Sequence, residues 1–118
     1  MIIATGSEVE LAVAARKTLE ADGVATRVVS MPCVEWFDAQ DEAYREQVLP
    51  RGVRARVVVE AGIAQPWYRF AKDSGEIVSI EHFGASADYK TLFKEFGFTA
   101  DAVVAAARRS LDNARANA

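Results

Sequence analysis

Gly6 and Ser7 form the first segment whose residue types and position suit ligand binding. They follow a β-rich run at 2–4 and precede a helical pattern, so free backbone amides at this helix start could hold a phosphate. Neither a G-x-G-x-x-G motif nor a P-loop is present, and Glu8 in the first turn would repel an anion. The alternative is a helix cap with a tight turn, because serine commonly caps helices.

Glu60 is the second candidate, because this carboxylate directly follows three consecutive valines at 57–59. Such a run predicts a central strand, so Glu60 would lie at the end of a buried element. Buried without a partner, the carboxylate would be unfavourable and its pKa would rise. It could act on a ligand, accept from backbone amides or pair with an arginine. The structural interpretation is favoured, since buried carboxylates are usually hydrogen-bonded or paired.

His82 is the only histidine, which limits imidazole chemistry to a single ring. Glu81 is adjacent, but in a strand the two side chains point to opposite faces, which argues against a catalytic dyad. A loop histidine that caps or lines an interface is the alternative. Cys33 has no visible activating partner, so we predict an inert, buried or half-buried thiol. The candidate ligand-binding or anion-binding residues are therefore Gly6, Ser7, Glu60 and His82.

No spacing in the sequence matches a catalytic acid–base pair or a metal site, so no catalytic, cofactor-binding or metal-binding residue is predicted. Large aromatic residues occur in two pairs, Trp36 with Phe37 and Trp67 with Tyr68. Each pair either packs on the sheet or anchors another domain or subunit, because tryptophan and tyrosine are enriched at interfaces. The sequence leaves both interpretations open.

Alternating strand and helix patterns must position these candidates. Strands are predicted at 2–4, 26–31, 55–60 and 77–80. Helical patterns lie at 7–22, within 34–48, after Pro66, at 86–97 and after Thr99. Ser7 with Glu10 has capping-box spacing, and Gly23 suits a left-handed helix end.

This alternation predicts an α/β fold, a three-layer α/β/α sandwich around a mostly parallel sheet of four strands. The first and third strands are the most apolar, which favours the strand order 2-1-3-4. Ligands of such sheets bind at the carboxyl ends of the strands, where the strand order reverses. Residues 1–113 are predicted to form one domain, with 103, 104, 107 and 111 buried in the last helix. Residues 114–118 lack an apolar stripe and are predicted to fray.

Composition excludes several classes of protein. The chain has 118 residues, 51% of them hydrophobic, which suits one globular domain. Its net charge is −3 with the signs mixed, so nucleic acid and anionic membranes are poor partners. No apolar run is long enough to span a bilayer. A single cysteine fits a reducing compartment, and a cytoplasmic location is predicted.

Six segments of the sequence resemble, in order and spacing, the C-terminal domain of the transketolase family. They are 4–12 (ATGSEVELA), 28–32 (VVSMP), 44–45 (YR) with 48–50 (VLP), 59–64 (VEAGIA), 83–87 (FGASA) and 95–99 (EFGFT). The last two resemble transketolase more than the related pyruvate or deoxyxylulose-phosphate enzymes.

The resemblance implies a whole enzyme that moves a two-carbon ketol unit between sugar phosphates, using thiamine diphosphate and a divalent cation such as Mg²⁺. It implies a homodimer of three-domain subunits whose cofactor, metal and substrate contacts come from the first two domains. This chain then carries no cofactor of its own, and its partners are those two domains and a second subunit. The third domain is regarded as structural or regulatory, and this chain alone is expected to be inactive.

The resemblance also implies a five-stranded mixed sheet whose first, antiparallel strand precedes the strand at 2–4. That strand is missing from the sequence, so an open sheet edge is expected near 27–30, and open edges favour association. A rival hypothesis is a regulatory module that binds a small ligand or anion at the strand ends. An independent enzyme of another kind would need an acid–base pair that this sequence does not supply.

Overall fold

The computed structural model describes residues 1–60, 65–79 and 98–116. Within them are four strands: β1 Ile2–Ala4, β2 Val28–Ser30, β3 Val57–Glu60 and β4 Glu76–Ser79. They also contain five α-helices: α1 Val9–Ala21, α2 Val34–Asp38, α3 Glu42–Val48, α4 Tyr68–Ala71 and α5 Ala100–Ala116. Short 3₁₀ turns at Gly6–Glu8 and Gln65–Trp67 lead into α1 and α4.

The four strands form one sheet in the order β2-β1-β3-β4, and each neighbouring pair is parallel. This confirms the predicted order. Ala4 lies opposite Ser30 on one side and Val59 on the other, so the carboxyl ends of β2, β1 and β3 are level. The strand order reverses between β1 and β3, which places the expected ligand edge at Thr5 and Glu60.

Alternation along the central strands separates two hydrophobic layers. Ile2 and Ala4 face α1 and α5, where they pack with Leu19 and Val103. Ile3 faces the opposite side and packs in the layer that contains Met31, Leu49, Val58 and Phe70. Because every strand side chain between 57 and 59 is at most 1% exposed, β3 is covered on both faces. These two layers confirm the α/β/α sandwich.

The structure confirms the predicted C-terminal end of α1 but not its predicted N-terminal cap. The capping box at Ser7 is wrong, because the 3₁₀ turn moves the cap position to Glu8, which makes no side-chain capping bond. Gly23 has φ +85° and ends the helix as predicted. Its amide donates to the Glu20 carbonyl at 3.0 Å, and the Val24 amide donates to the Leu19 carbonyl at 2.9 Å, which is a Schellman motif.

The last helix begins as predicted, because Thr99 Oγ1 accepts from the Ala102 amide at 3.2 Å. Val103 and Val104 are buried, but Ser110 replaces Leu111 among the fully buried positions, since Leu111 is only half-buried. The helix continues to Ala116, three residues past the predicted domain end at 113. Alanine-rich helices need no apolar stripe to persist locally. The predicted helix at 86–97 lies outside the described residues.

Candidate functional site

The carboxyl ends of β1 and β3 bring Thr5 and Glu60 together. The Thr5 hydroxyl donates a hydrogen bond to Glu60 Oε2. Glu60 is half-buried and lies at the end of β3, beside the crevice where ligands of such sheets bind. The favoured expectation for Glu60, a hydrogen-bonded carboxylate, agrees with this contact. The sequence analysis overlooked Thr5, although its position directly after a strand was a usable signal.

Gly6 adopts φ +51°, and the chain turns sharply there into α1. Glu8 is 5% exposed, and its Oε2 lies 3.6 Å from the point that a Cβ on Gly6 would occupy. The structure describes the backbone of Ser7 but not its side chain. A buried carboxylate therefore lies beside the amides that were predicted to hold a phosphate. Such a neighbour disfavours binding of an anion at this turn.

His82, the fourth candidate, lies outside the described residues together with Glu81. Its role remains a prediction. β4 ends at Ser79, which pairs with Glu60, so the described part of β4 reaches the same edge as the other strands. Among the candidates, the described geometry thus brings Gly6 and Glu60 to one edge of the sheet.

Cys33 lies where β2 has just ended and α2 begins. It is half-buried, which agrees with the predicted inert thiol. Its Sγ donates to Glu35 Oε2 at 3.3 Å. The thiol thus serves as a hydrogen-bond donor to a neighbouring side chain.

The aromatic pairs divide, because one member of each packs inward and the other faces outward. Phe37 and Trp67 pack on Phe70, with ring centroids 6.2 and 5.6 Å away. Trp36 is 73% exposed and Tyr68 is 62% exposed. The packing interpretation therefore holds for Phe37 and Trp67, whereas the interface interpretation for Trp36 and Tyr68 stays a prediction.

Arg56 is a buried cation that the sequence analysis missed. It precedes β3, is 2% exposed and donates to the Val53, Phe70 and Pro50 carbonyls at 2.8, 3.0 and 2.8 Å. Burial lowers the pKa of Arg56, while the negative charge of Glu46 partly opposes that shift. Arginine nevertheless stays charged in proteins. No sequence signal distinguishes it from an ordinary surface arginine.

The described residues form no cluster that fits the divalent cation implied by the resemblance. No group of three histidine, cysteine, aspartate or glutamate side chains converges within the described part of the chain, as a protein-held cation would need. None of the described helices is both long and apolar enough to cross a membrane.

A parallel sheet between two helical layers, with its strand order reversing between β1 and β3, defines a doubly-wound α/β domain. Residues 1–99 match the family described as the transketolase-like TK C-terminal domain. The chain belongs to the transketolase family, as its sequence segments predicted.

Known relatives agree with this assignment. The transketolase of Mycobacterium tuberculosis is 64% identical over 113 residues, which are 96% of this chain and 16% of that protein. Transketolase 1 of Escherichia coli is 60% identical over 111 residues, 94% of this chain and 17% of its own length. This chain thus spans 16 to 17% of the length of these two relatives.

Solved structures show the same fold. The transketolase from Leishmania mexicana superposes with a TM-score of 0.80 at 46% identity, covering 92% of this chain and 16% of its own. The transketolase from Pichia stipitis in complex with sedoheptulose 7-phosphate gives a TM-score of 0.81 at 40% identity, covering 93% and 16%.

Proposed function

We propose that this chain serves as the non-catalytic C-terminal domain of a transketolase, which supports the fold of the subunit and its dimer. The observation that carries the proposal is the asymmetry of the match: 96% of this chain aligns with 16% of the mycobacterial relative. The whole enzyme would transfer a two-carbon ketol unit between sugar phosphates. Its chemistry would reside in the remaining length, so this chain alone has no turnover.

The cofactors of the whole enzyme, thiamine diphosphate and a divalent cation such as Mg²⁺, would bind outside this chain. Its partners would be the other two domains of the subunit and a second subunit in a cytoplasmic homodimer. The carboxylates at the strand ends support a cofactor site outside this chain. Glu60 accepts a hydrogen bond from Thr5, and Glu8 is buried in the turn after β1. Neither is arranged as an open cation site.

An apolar groove beside edge strand β2 is a suitable surface for one of those domains. It has a volume of about 330 Å³, and Met31, Trp36 and Tyr44 line it. Trp36 is 73% exposed and Tyr44 is 48% exposed. Exposed large aromatics are typical anchors of interfaces, where they become buried by the partner. The length of the relatives beyond this chain supplies such a partner.

The activity test uses the purified chain with xylulose 5-phosphate and ribose 5-phosphate, saturating thiamine diphosphate and Mg²⁺. We expect no sedoheptulose 7-phosphate above the rate of a mock purification from a host without transketolase genes. Cofactor-dependent turnover that increases with the concentration of this chain would refute the proposal.

The interface test mixes this chain with the first two domains of the mycobacterial relative and measures their association. Trp36→Ser should weaken association by tenfold or more, as expected for an aromatic anchor. Tyr68→Ser is the matched control, because Tyr68 is also a largely exposed aromatic residue but does not line the groove. Equal effects of the two substitutions would show that the groove is not the docking surface.

A second candidate function is a regulatory module that binds a small ligand at the strand ends. The Thr5–Glu60 contact at the β1–β3 crevice favours it. Because the carboxylate of Glu60 accepts hydrogen bonds and the buried charge of Glu8 repels anions, a polyhydroxylated ligand suits this edge better than an anion. Backbone NMR shifts during titration with sugars, sugar phosphates and nucleotides test it. The absence of shifts at Gly6, Ser7 and Glu60 would end this candidate.

A further inference from the structure

A second pocket lies at the opposite end of the sheet from the strand-end crevice. We call it the basic pocket; Arg45 of α3, Arg56 before β3 and Lys72 after α4 line it. Its volume is about 270 Å³. Arg56 directly precedes the first residue of β3, which places the basic pocket beside the amino end of that strand.

The charges that line the basic pocket do not balance, because five are positive and three are negative. Each acid is already engaged. Asp38 accepts two hydrogen bonds from Arg69, at 2.9 and 2.8 Å. Glu42 and Glu46 both pair with Arg51. Two arginines thus neutralise most of the negative charge, and the excess positive charge remains with the other three cations.

Those three cations have no carboxylate contact within the described segments. Arg56 is 2% exposed and directs its N–H groups to backbone carbonyls, so it contributes charge without a counterion in contact. The Nε of Arg45 is shielded from solvent and has no hydrogen-bond partner among the described residues. An ion in the pocket cannot reach this shielded atom, but the terminal N–H groups of Arg45 are not shielded in this way and have no hydrogen-bond acceptor among the described residues.

Lys72 adds an independent observation, because its backbone is strained. It has φ 59° and ψ −160°, a combination that residues other than glycine rarely adopt. The turn nevertheless presents a lysine at the rim of the basic pocket. Strained residues of this kind concentrate where a ligand is held, since a purely structural turn would be served better by glycine.

We propose that the basic pocket binds a small tetrahedral oxyanion, namely phosphate or the phosphate group of a small monoester. The terminal N–H groups of Arg45 and the Lys72 ammonium donate to the oxyanion, and the buried charge of Arg56 adds attraction without direct contact. Charged donors to phosphate oxygens form strong hydrogen bonds. The volume is below the roughly 300–1,000 Å³ of pockets for larger ligands, so the site takes the phosphate end of a molecule.

The test titrates the complete 118-residue chain with inorganic phosphate and, separately, with methyl phosphate. Ionic strength is held constant with NaCl, because salt alone screens charges. NMR follows the Arg45 side-chain Nε–H and the Lys72 backbone amide. Saturable shifts at both, with a common dissociation constant, are expected. If only inorganic phosphate saturates, the site takes the free ion; if both do, it takes monoesters as well.

Two variants remove one donor each. Arg45→Gln and Lys72→Gly should each weaken phosphate binding about tenfold to a hundredfold, which corresponds to one charged hydrogen bond. Lys72→Gly also relieves the backbone strain, so its melting temperature should not fall and loss of binding cannot be attributed to unfolding. Lys17→Gln is the control, because Lys17 is an exposed lysine of α1 outside the basic pocket.

Three results would overturn the proposal. The first is the absence of saturable shifts at Arg45 and Lys72. The second is a loss of affinity in Lys17→Gln as large as in the pocket variants, which would indicate general charge attraction. The third is a set of phosphate shifts confined to Gly6 and Glu60, which would place the anion at the other edge of the sheet.

Discussion

Replacement of Arg56 should destabilise the domain more than any exposed arginine substitution would. In Arg56→Met, the Val53, Phe70 and Pro50 carbonyls each lose a charged donor at 3.0 Å or less. A fourth contact, to Leu49 at 3.5 Å, is too long to count. Methionine fills the space but donates nothing, so about 1 kcal/mol per bond gives a loss of about 3 kcal/mol. That is a large part of the free energy of unfolding of a typical domain, which is roughly 5–15 kcal/mol.

Urea unfolding followed by circular dichroism measures this loss. With a slope of about 1.5 kcal/mol per molar, the midpoint should fall by about 2 M at an unchanged slope. Arg56→Lys keeps the charge but reaches fewer carbonyls, so its loss should be about half as large. Arg16→Met is the control: Arg16 forms an exposed pair with Glu20, which is worth about 0.3–0.5 kcal/mol. A loss below about 1 kcal/mol in Arg56→Met would refute this view of the buried guanidinium.

Three further predictions test separate contacts. Gly23→Ala should destabilise by about 1–2 kcal/mol in urea unfolding, because φ is +85°, whereas Gly52→Ala, with open space around it, should be neutral or stabilising. Ser110→Ala should cost about 1–3 kcal/mol by the same measurement, since Ser110 Oγ bridges two buried backbone groups. Arg69→Gln should raise the pKa of Asp38, which the Arg69 hydrogen bonds now hold below 3.8, in a carboxyl NMR titration. In the unsubstituted chain, the contribution of Asp38 to stability is present above pH 3.8 and disappears as the pH falls through its lowered folded-state pKa.

The strand order could be predicted because apolar runs report burial directly. Residues 57–59 are uninterrupted valine, and the structure covers this strand on both faces. The role of Gly23 could also be predicted, since a left-handed helix end strongly restricts the residue type. The start of α1 could not be predicted, because a serine two residues before the helix fits a cap and a 3₁₀ turn equally well.

The polar interior could not be predicted from the sequence, because its partners are distant along the chain. Ser110 accepts from the Arg56 amide at 2.8 Å and donates to the Ser74 carbonyl at 2.6 Å, across separations of 54 and 36 residues. A serine inside an alanine-rich helix predicts an exposed position, and helix periodicity marked Leu111 as the buried neighbour. Only the packing of α5 on the sheet makes Ser110 the residue that faces inward.

The sequence predicted that Gly6 and Glu60 lie at one edge of the sheet, but it did not predict the cationic pocket at the opposite edge. The geometry of β3 explains this difference. Arg56 and Glu60 are four residues apart, so along the strand they lie about 13 Å apart, at opposite ends. Glu60 and Glu8 make one edge rich in acceptors, whereas Arg56 belongs to the cationic pocket at the other. The general rule for such sheets places ligands at the carboxyl ends of the strands. The net charge at the amino ends cannot be predicted from the sequence, because it depends on which acidic side chains are already paired. If phosphate binds at the amino ends while a polyhydroxylated ligand shifts Gly6 and Glu60, one strand separates two sites of opposite preference within a single domain.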